Sequence, residues 1–106
     1  MNIRYNLILL LFSLSTLQAQ HLSPYWNSET DKNGYMDSRE KIIIKPIYDG
    51  NGDFSEGLAG VNIGGKWGFI DATGATVIPL QYDSVATFSE GLVRIQLKGK
   101  WGFINK

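Results

Sequence analysis

Carboxylates recur beside predicted turns of this chain, and they are the first candidates for chemistry. They are Asp49, Glu56, Asp71, Asp83 and Glu90. A catalytic pair needs two carboxylates that face each other across a substrate, whereas Asp49 and Glu56 simply return 34 residues later as Asp83 and Glu90. A carboxylate beside a turn commonly accepts backbone N–H groups. We therefore interpret these residues as shaping turns, and we expect neither a catalytic role nor a Ca²⁺ site, which needs six or more oxygens.

No other side chains form a pattern typical of a catalytic or metal centre. The single histidine, His21, has no partner at metal-ligand spacing, and the lack of cysteine excludes disulfides and thiolate ligands. No serine lies in a nucleophile-elbow pattern, and no glycine-rich loop precedes a predicted helix. The formal net charge is zero, which argues against binding of nucleic acid. We expect no catalytic residue, no metal and no cofactor.

Aromatic side chains are the remaining candidates for a ligand surface. Tyr25 and Trp26 lie in residues 20–31, which show neither helical nor strand periodicity. We predict an irregular lead-in there, whose aromatic rings pack over the end of a sheet; an aromatic ligand platform is the alternative. Arg94, near a predicted hairpin, completes the candidate ligand surface, and its alternative role is that of a solvated edge residue.

The first residues have the order of a secretory signal peptide. Arg4 supplies a positive charge, residues 7–14 are almost wholly apolar, and Ala19 precedes the expected cleavage site. The apolar run is too short for a membrane span, which needs roughly 20 residues. We predict a signal peptide over residues 1–19 and export to the periplasm, the cell surface or the medium, with no membrane span after cleavage. An uncleaved N-terminal anchor is the alternative.

Two motifs repeat at a fixed distance. Residues 65–70, GKWGFI, return unchanged 34 residues later at residues 99–104. The sequence FSEGL at residues 54–58 likewise returns at residues 88–92. A fixed period of this length is typical of repeat architectures.

The period divides the rest of the chain into three pieces. Without a gap, it gives a degenerate half-unit (residues 32–47), a full unit (residues 48–81) and a truncated unit (residues 82–106). Alternating apolar residues separated by glycine-containing turns predict three short antiparallel strands per unit. The expected fold is all-β, with three-stranded meanders in an open twisted array. A propeller-like closure is the alternative.

The repeated aromatic and glycine residues are interpreted as structural. Gly68 and Gly102 lack a Cβ, so we expect a ring from a neighbouring strand to lie flat over the backbone there. A tryptophan row that binds sugars is the alternative, but recurrence at the same position favours packing. The structural set is Trp67, Gly68, Phe69, Trp101, Gly102, Phe103, Phe54, Phe88, Tyr48 and Tyr82.

These motifs resemble the WG-repeat, or KWG-repeat, family of bacterial proteins. The resemblance rests on GKWGFID at residues 65–71, VIP at residues 77–79 and YD at residues 82–83, together with FSEGL, and it covers residues 32–106. It implies an array of β-hairpin units and no catalytic activity. The chain departs from the pattern where Asn33 replaces the first tryptophan, and where the last unit stops before its third strand.

The expected function is that of an exported, non-catalytic interaction module that binds a protein or a cell-wall glycan. A structural spacer or a capping fragment of a longer array is the alternative, and a glycan-acting enzyme is the third hypothesis. Residues 101–104 would form an end strand with unpaired backbone groups, and the opening half-unit would lack its first strand. Self-association through these ends is therefore a further expectation.

Overall fold

The computed structural model describes residues 21–106, which form ten strands and no helix. The strands are β1 (Ser23–Asn27), β2 (Lys32–Met36), β3 (Ile42–Tyr48), β4 (Gly50–Asn51), β5 (Ala59–Ile63), β6 (Lys66–Ile70), β7 (Thr76–Tyr82), β8 (Ser84–Val85), β9 (Leu92–Leu97) and β10 (Lys100–Asn105). Over this range, accordingly, no helix has the length and apolar character needed to cross a membrane.

The strands form three antiparallel sheets that follow one another along the chain. The first sheet is β1-β2-β3, the middle sheet is β4-β5-β6-β7, and the third sheet is β8-β9-β10. Within the described residues the sheets form no closed barrel. The predicted all-β fold of repeated meanders is therefore confirmed. The middle and third sheets share one feature that the sequence did not predict, a two-residue edge strand: β4 pairs with β5, and β8 pairs with β9.

The lead-in is a strand, so the prediction of an irregular segment over residues 20–31 was wrong for the part described. β1 pairs with β2 from Ser23 opposite Met36 to Asn27 opposite Lys32. The loop of this hairpin has four residues, 28–31, whereas the β5–β6 loop has only two. Because of these two extra residues, β1 lies two positions away from the place that the 34-residue period predicts, so the repeat did not reveal it as a first strand. For the same reason, the opening unit does not lack its first strand, because β1 supplies it.

Two hydrophobic clusters hold the sheets together, and each one joins two consecutive sheets. The first consists of Leu22, Tyr35, Ile44, Tyr48, Ala59, Val61 and Ile70. The second consists of Leu58, Phe69, Ile78, Tyr82, Phe88, Val93 and Ile95. Six of the seven members of the second cluster lie 34 residues after a member of the first, or after Phe54, which packs against it. The same interface is thus built twice.

The aromatic residues predicted to form the core divide into three groups. Phe69 and Phe88 are buried and meet edge to face, with ring centres 4.9 Å apart. Phe54 and Trp67 are partly buried against the two clusters. Trp101 and Phe103 are 52% and 68% exposed, so the core role predicted for them was wrong. The reason is that, within residues 21–106, no further sheet covers the outer face of the third sheet.

Gly68 has a different role from the expected one. The pairing of β6 with β7 is irregular between Trp67 and Phe69, and the backbone of β7 approaches Gly68 there. A Cβ on Gly68 would lie 2.7 Å from the nitrogen of Leu80, and closer still to the carbonyl oxygen of Ile78. The glycine therefore makes room for backbone and not for an aromatic ring. At Gly102 a Cβ would meet no atom within 4 Å.

Candidate interaction surface

The repeated aspartates shape the hairpins, as the sequence predicted. One oxygen of Asp83 accepts a hydrogen bond from the backbone N–H of Lys98 at 2.7 Å, and the other pairs with the ammonium of Lys66 at 2.7 Å. Asp49 repeats this arrangement with Gly64 and Lys32. The lysine hydrogen bond, followed by the backbone N–H, holds the pKa of each aspartate below its usual value. Both carboxylates are therefore engaged in structure and ionised at neutral pH.

Asp71 has a similar role in the turn after β6. Its Oδ1 accepts hydrogen bonds from the Thr73 hydroxyl at 2.5 Å and from the Thr73 N–H at 2.9 Å. These bonds, the hydroxyl first, lower the pKa of Asp71. Among residues 21–106, no group of three metal-ligating side chains converges on one point.

The FSEG loop of the middle sheet, residues 54–57, contacts the corresponding loop of the third sheet, residues 88–91. Ser55 donates its hydroxyl hydrogen to the carbonyl oxygen of Phe88 at 2.8 Å. Glu56 accepts a hydrogen bond from the backbone N–H of Gly91 at 2.9 Å, which is the first cause of its lowered pKa. The first loop therefore lies on its counterpart one period later. These two bonds fix the register between the middle and third sheets.

We call the outer face of the third sheet, together with the free edge of β10, the open end. Side chains two residues apart on a strand point to the same face, so Trp101 and Phe103 lie side by side there. Leu92, on the neighbouring strand, is also exposed. The corresponding residues of the middle sheet pack against the third sheet in the second cluster: they are Trp67, Phe69 and Leu58.

The open end also carries polar side chains whose counterparts one period earlier bind the following sheet. Lys66, Ser55 and Glu56 all contact the following sheet. Their counterparts are Lys100, Ser89 and Glu90. Over the part of the chain that the structure describes, the side chains of these three make no hydrogen bond or ion pair. The open end thus displays both the apolar and the polar half of the interface that joins the earlier sheets.

The predicted ligand surface is not assembled as one patch. Tyr25 and Trp26 lie on β1 in the first sheet, where the indole N–H of Trp26 donates to Asp31 at 2.9 Å. Arg94 lies on β9 in the third sheet, with its guanidinium carbon 4.5 Å from the ring centre of Trp101. The structure therefore separates Arg94 from the two residues of β1 by a whole sheet in chain order, and pairs it with Trp101 instead.

Sequence reasoning missed a cleft of about 140 Å³ between the middle and third sheets. It is lined by Gly52, Asp53, Leu58, Gly60, Trp67, Phe69, Val85, Ala86 and Thr87. A signal was present in the repeat itself, because Gly60 occupies the position that Arg94 holds in the next unit. A small residue in place of a long one lets another element approach, but only the fold shows that Val85 of the third sheet does so and that a cleft remains beside it.

A family model described as "WG containing repeat" matches the chain twice, over residues 34–67 and 67–101. The two matches cover more than half of the sequence. The chain belongs to the WG-repeat family. The resemblance drawn from the motifs is thereby confirmed, and the boundary between the two matched WG repeats falls at Trp67, the tryptophan of the complete unit. No curated protein and no solved structure shows a significant match.

Proposed function

We propose that this WG-repeat protein is an exported, non-catalytic interaction module that binds a protein partner at the open end. The observation that supports this most is the exposure of Trp101 and Phe103, at positions where Trp67 and Phe69 are covered by the next sheet. Exposed apolar patches of this kind commonly mark interaction sites. A protein is favoured over a glycan because the covering surface one period earlier is a β-sheet.

The free edge of β10 favours a partner that binds as an extended strand. β6 pairs on one side with β5 and on the other with β7. β10 has the same KWGFI sequence but pairs only with β9 among the described strands. Its other side therefore offers backbone N–H and C=O groups for an added strand, a known mode of peptide recognition. The partner would contribute an extended segment similar to β7, including its proline opposite Gly102.

A peptide with the sequence of residues 75–82 tests this proposal, because it reproduces the strand that pairs with β6. We expect it to bind with a dissociation constant of about 0.1–1 mM, typical of a short segment with few anchors. Nuclear magnetic resonance should show shifts of the amide signals of β10, centred on Gly102. A scrambled peptide serves as the control.

Gly102→Ala provides the matched variant. The side chain would meet nothing in the free protein, but the same change at Gly68 would collide with the backbone of the neighbouring strand. We expect the variant to remain folded and to lose peptide binding. Equal binding by the wild type and Gly102→Ala, or no shift in β10 at about 10 mM peptide, would contradict the proposed surface. A chain that associates with itself instead, as seen by sedimentation, would identify a second copy as the partner.

We infer export from the amino-acid sequence of residues 1–19, which lie outside the residues that the structure describes. The order of Arg4, an apolar run and Ala19 is typical of a cleaved signal peptide. We expect the protein recovered from its native host to begin at Gln20. Mass spectrometry of the intact protein measures this directly, and a product that retains Met1 in the cytoplasm would disprove export.

The non-catalytic part of the proposal is supported by what the repeated carboxylates contact. Asp49 and Asp83 each bind a lysine and a backbone N–H, and Asp71 closes its own turn. A general acid or base must instead be free to reach a substrate proton. The alternative, a spacer within a longer array, differs in one respect: it requires the open end to be covered by the same chain and not by a partner.

A further inference from the structure

The cleft between the middle and third sheets is distinct from the open end. Its inner wall is the face of the middle sheet that carries Trp67 and Phe69, and its outer wall is formed by residues 85–87. Pockets for whole small molecules usually measure about 300–1,000 Å³, whereas this one measures about 140 Å³. It has room for one side chain or a ligand group of that size.

The chain itself contains a template for what fills such a space. Gly60 and Arg94 are equivalent positions, each directly opposite a phenylalanine on the next strand, Phe69 and Phe103 respectively. A Cβ built on Gly60 would lie 3.1 Å from a methyl carbon of Val85, and 3.6 and 3.7 Å from atoms of the Phe69 and Trp67 rings. In the third sheet the Arg94 side chain starts from that position and places its guanidinium over Trp101. At Gly60 the side chain of Val85 takes the place of the first side-chain carbon, and among the described residues no cation lies over Trp67.

A carboxylate that lines the cleft also favours a positively charged ligand. Asp53 is the one ionisable side chain among the residues that line it. Among residues 21–106, the Asp53 carboxylate takes part in no ion pair and accepts no side-chain hydrogen bond. A guanidinium is attracted to the face of an indole by the ring quadrupole and can also bind a carboxylate through two parallel N–H groups. Trp67 and Asp53 supply these two partners.

We propose that this cleft binds the guanidinium of an arginine side chain presented by a partner protein. The guanidinium stacks on Trp67 in the manner of Arg94 on Trp101, and Asp53 neutralises its charge. Its aliphatic stem enters from solvent, because Val85 occupies the space over Gly60. The site is independent of the strand-pairing edge at the open end, so either can be present without the other.

The test uses the whole mature protein and three capped amino acids. They are the N-acetyl methylamides of arginine, of citrulline, which has a similar shape without the charge, and of lysine. The signal measured is the indole N–H of Trp67 in a nuclear magnetic resonance titration up to about 10 mM. We expect the arginine compound to shift this signal and the citrulline compound to shift it at least about fivefold less at equal concentration, since one charge pair is worth roughly that ratio.

Two variants separate binding from folding. Asp53→Asn removes the charge from an exposed position and should weaken arginine binding about fivefold without changing the unfolding midpoint. Glu29→Gln removes an exposed carboxylate from the first sheet and should leave binding unchanged. No shift of Trp67, equal binding of citrulline, preference for lysine, or an unchanged affinity in Asp53→Asn would each overturn the assignment of a guanidinium site.

Discussion

Replacing Gly68 by alanine is expected to destabilise the protein by about 3 kcal/mol or more, although it adds a single methyl group. The new Cβ would overlap the backbone of β7 at Ile78 and Leu80. A flexible side chain could move away from such a contact, but a hydrogen-bonded strand cannot do so without breaking the sheet. Denaturation in urea, followed by circular dichroism, measures the loss as a lower midpoint.

Gly102→Ala is the control for this prediction, because it makes the same change in the same motif. No atom lies within 4 Å of the added Cβ, so its effect should stay within about 0.5 kcal/mol. If the two variants were equally destabilised, the cost would come from the conformation of the WG strand and not from the approach of the next strand. That result would contradict the structure around Gly68.

The second large effect is expected at Phe69. Its side chain is 1% exposed and contacts Phe88 across the interface between the middle and third sheets. Phe69→Ala should therefore cost about 3–5 kcal/mol, which combines lost burial with the cavity left behind. A domain of this size has only about 4–13 kcal/mol of total stability, so the variant should be largely unfolded at moderate temperature.

Phe103→Ala tests whether position in the array, and not residue type, sets this cost. Phe103 is the same residue one period later, but it is 68% exposed. We expect its removal to change the free energy of unfolding by less than about 1 kcal/mol. A thermal denaturation series of both variants gives the comparison. A loss at Phe103 as large as that at Phe69 would mean that the outer face of the third sheet is covered in solution.

The repeat made most of the fold predictable, because one set of residues had to satisfy one set of contacts more than once. The all-β class, the two-residue turns and the burial of Phe69 and Phe88 all followed from positions that recur. The turn role of Asp49 and Asp83 followed in the same way. A residue that recurs at the 34-residue period makes the same contact in each unit, provided that a neighbouring sheet is present.

The errors arose where a residue has the repeat's sequence but not its surroundings. Trp101 and Phe103 have the same chemistry as Trp67 and Phe69, yet no described sheet covers them. Conversely, β1 pairs as the first strand of its sheet but lacks the repeat motif. Trp26 lies where the middle sheet has Asn62, and the β1–β2 loop is longer than the β5–β6 loop. The role of Gly68 could not be predicted, since the irregular pairing that brings β7 close depends on the path of both strands.

The cleft, too, could not be predicted from the sequence alone. The difference between Gly60 and Arg94 is visible in the sequence, but glycine at a strand position has many explanations. The identity of the wall opposite Gly60 depends on how the third sheet packs on the middle one. Only the packed sheets show that the cleft is lined by the Trp67 indole and the Asp53 carboxylate.

The two equivalent clusters have a consequence for how such a chain can change in length. Neither cluster belongs to a single sheet, so the middle sheet has one face toward each neighbour and equivalent interfaces on both sides of it. Duplication of a 34-residue segment from the repeated part of the chain would therefore generate equivalent junctions. Unequal recombination between copies could lengthen or shorten the array in whole steps without a compensating mutation, and each step would move the same terminal surface to a new distance from the amino terminus.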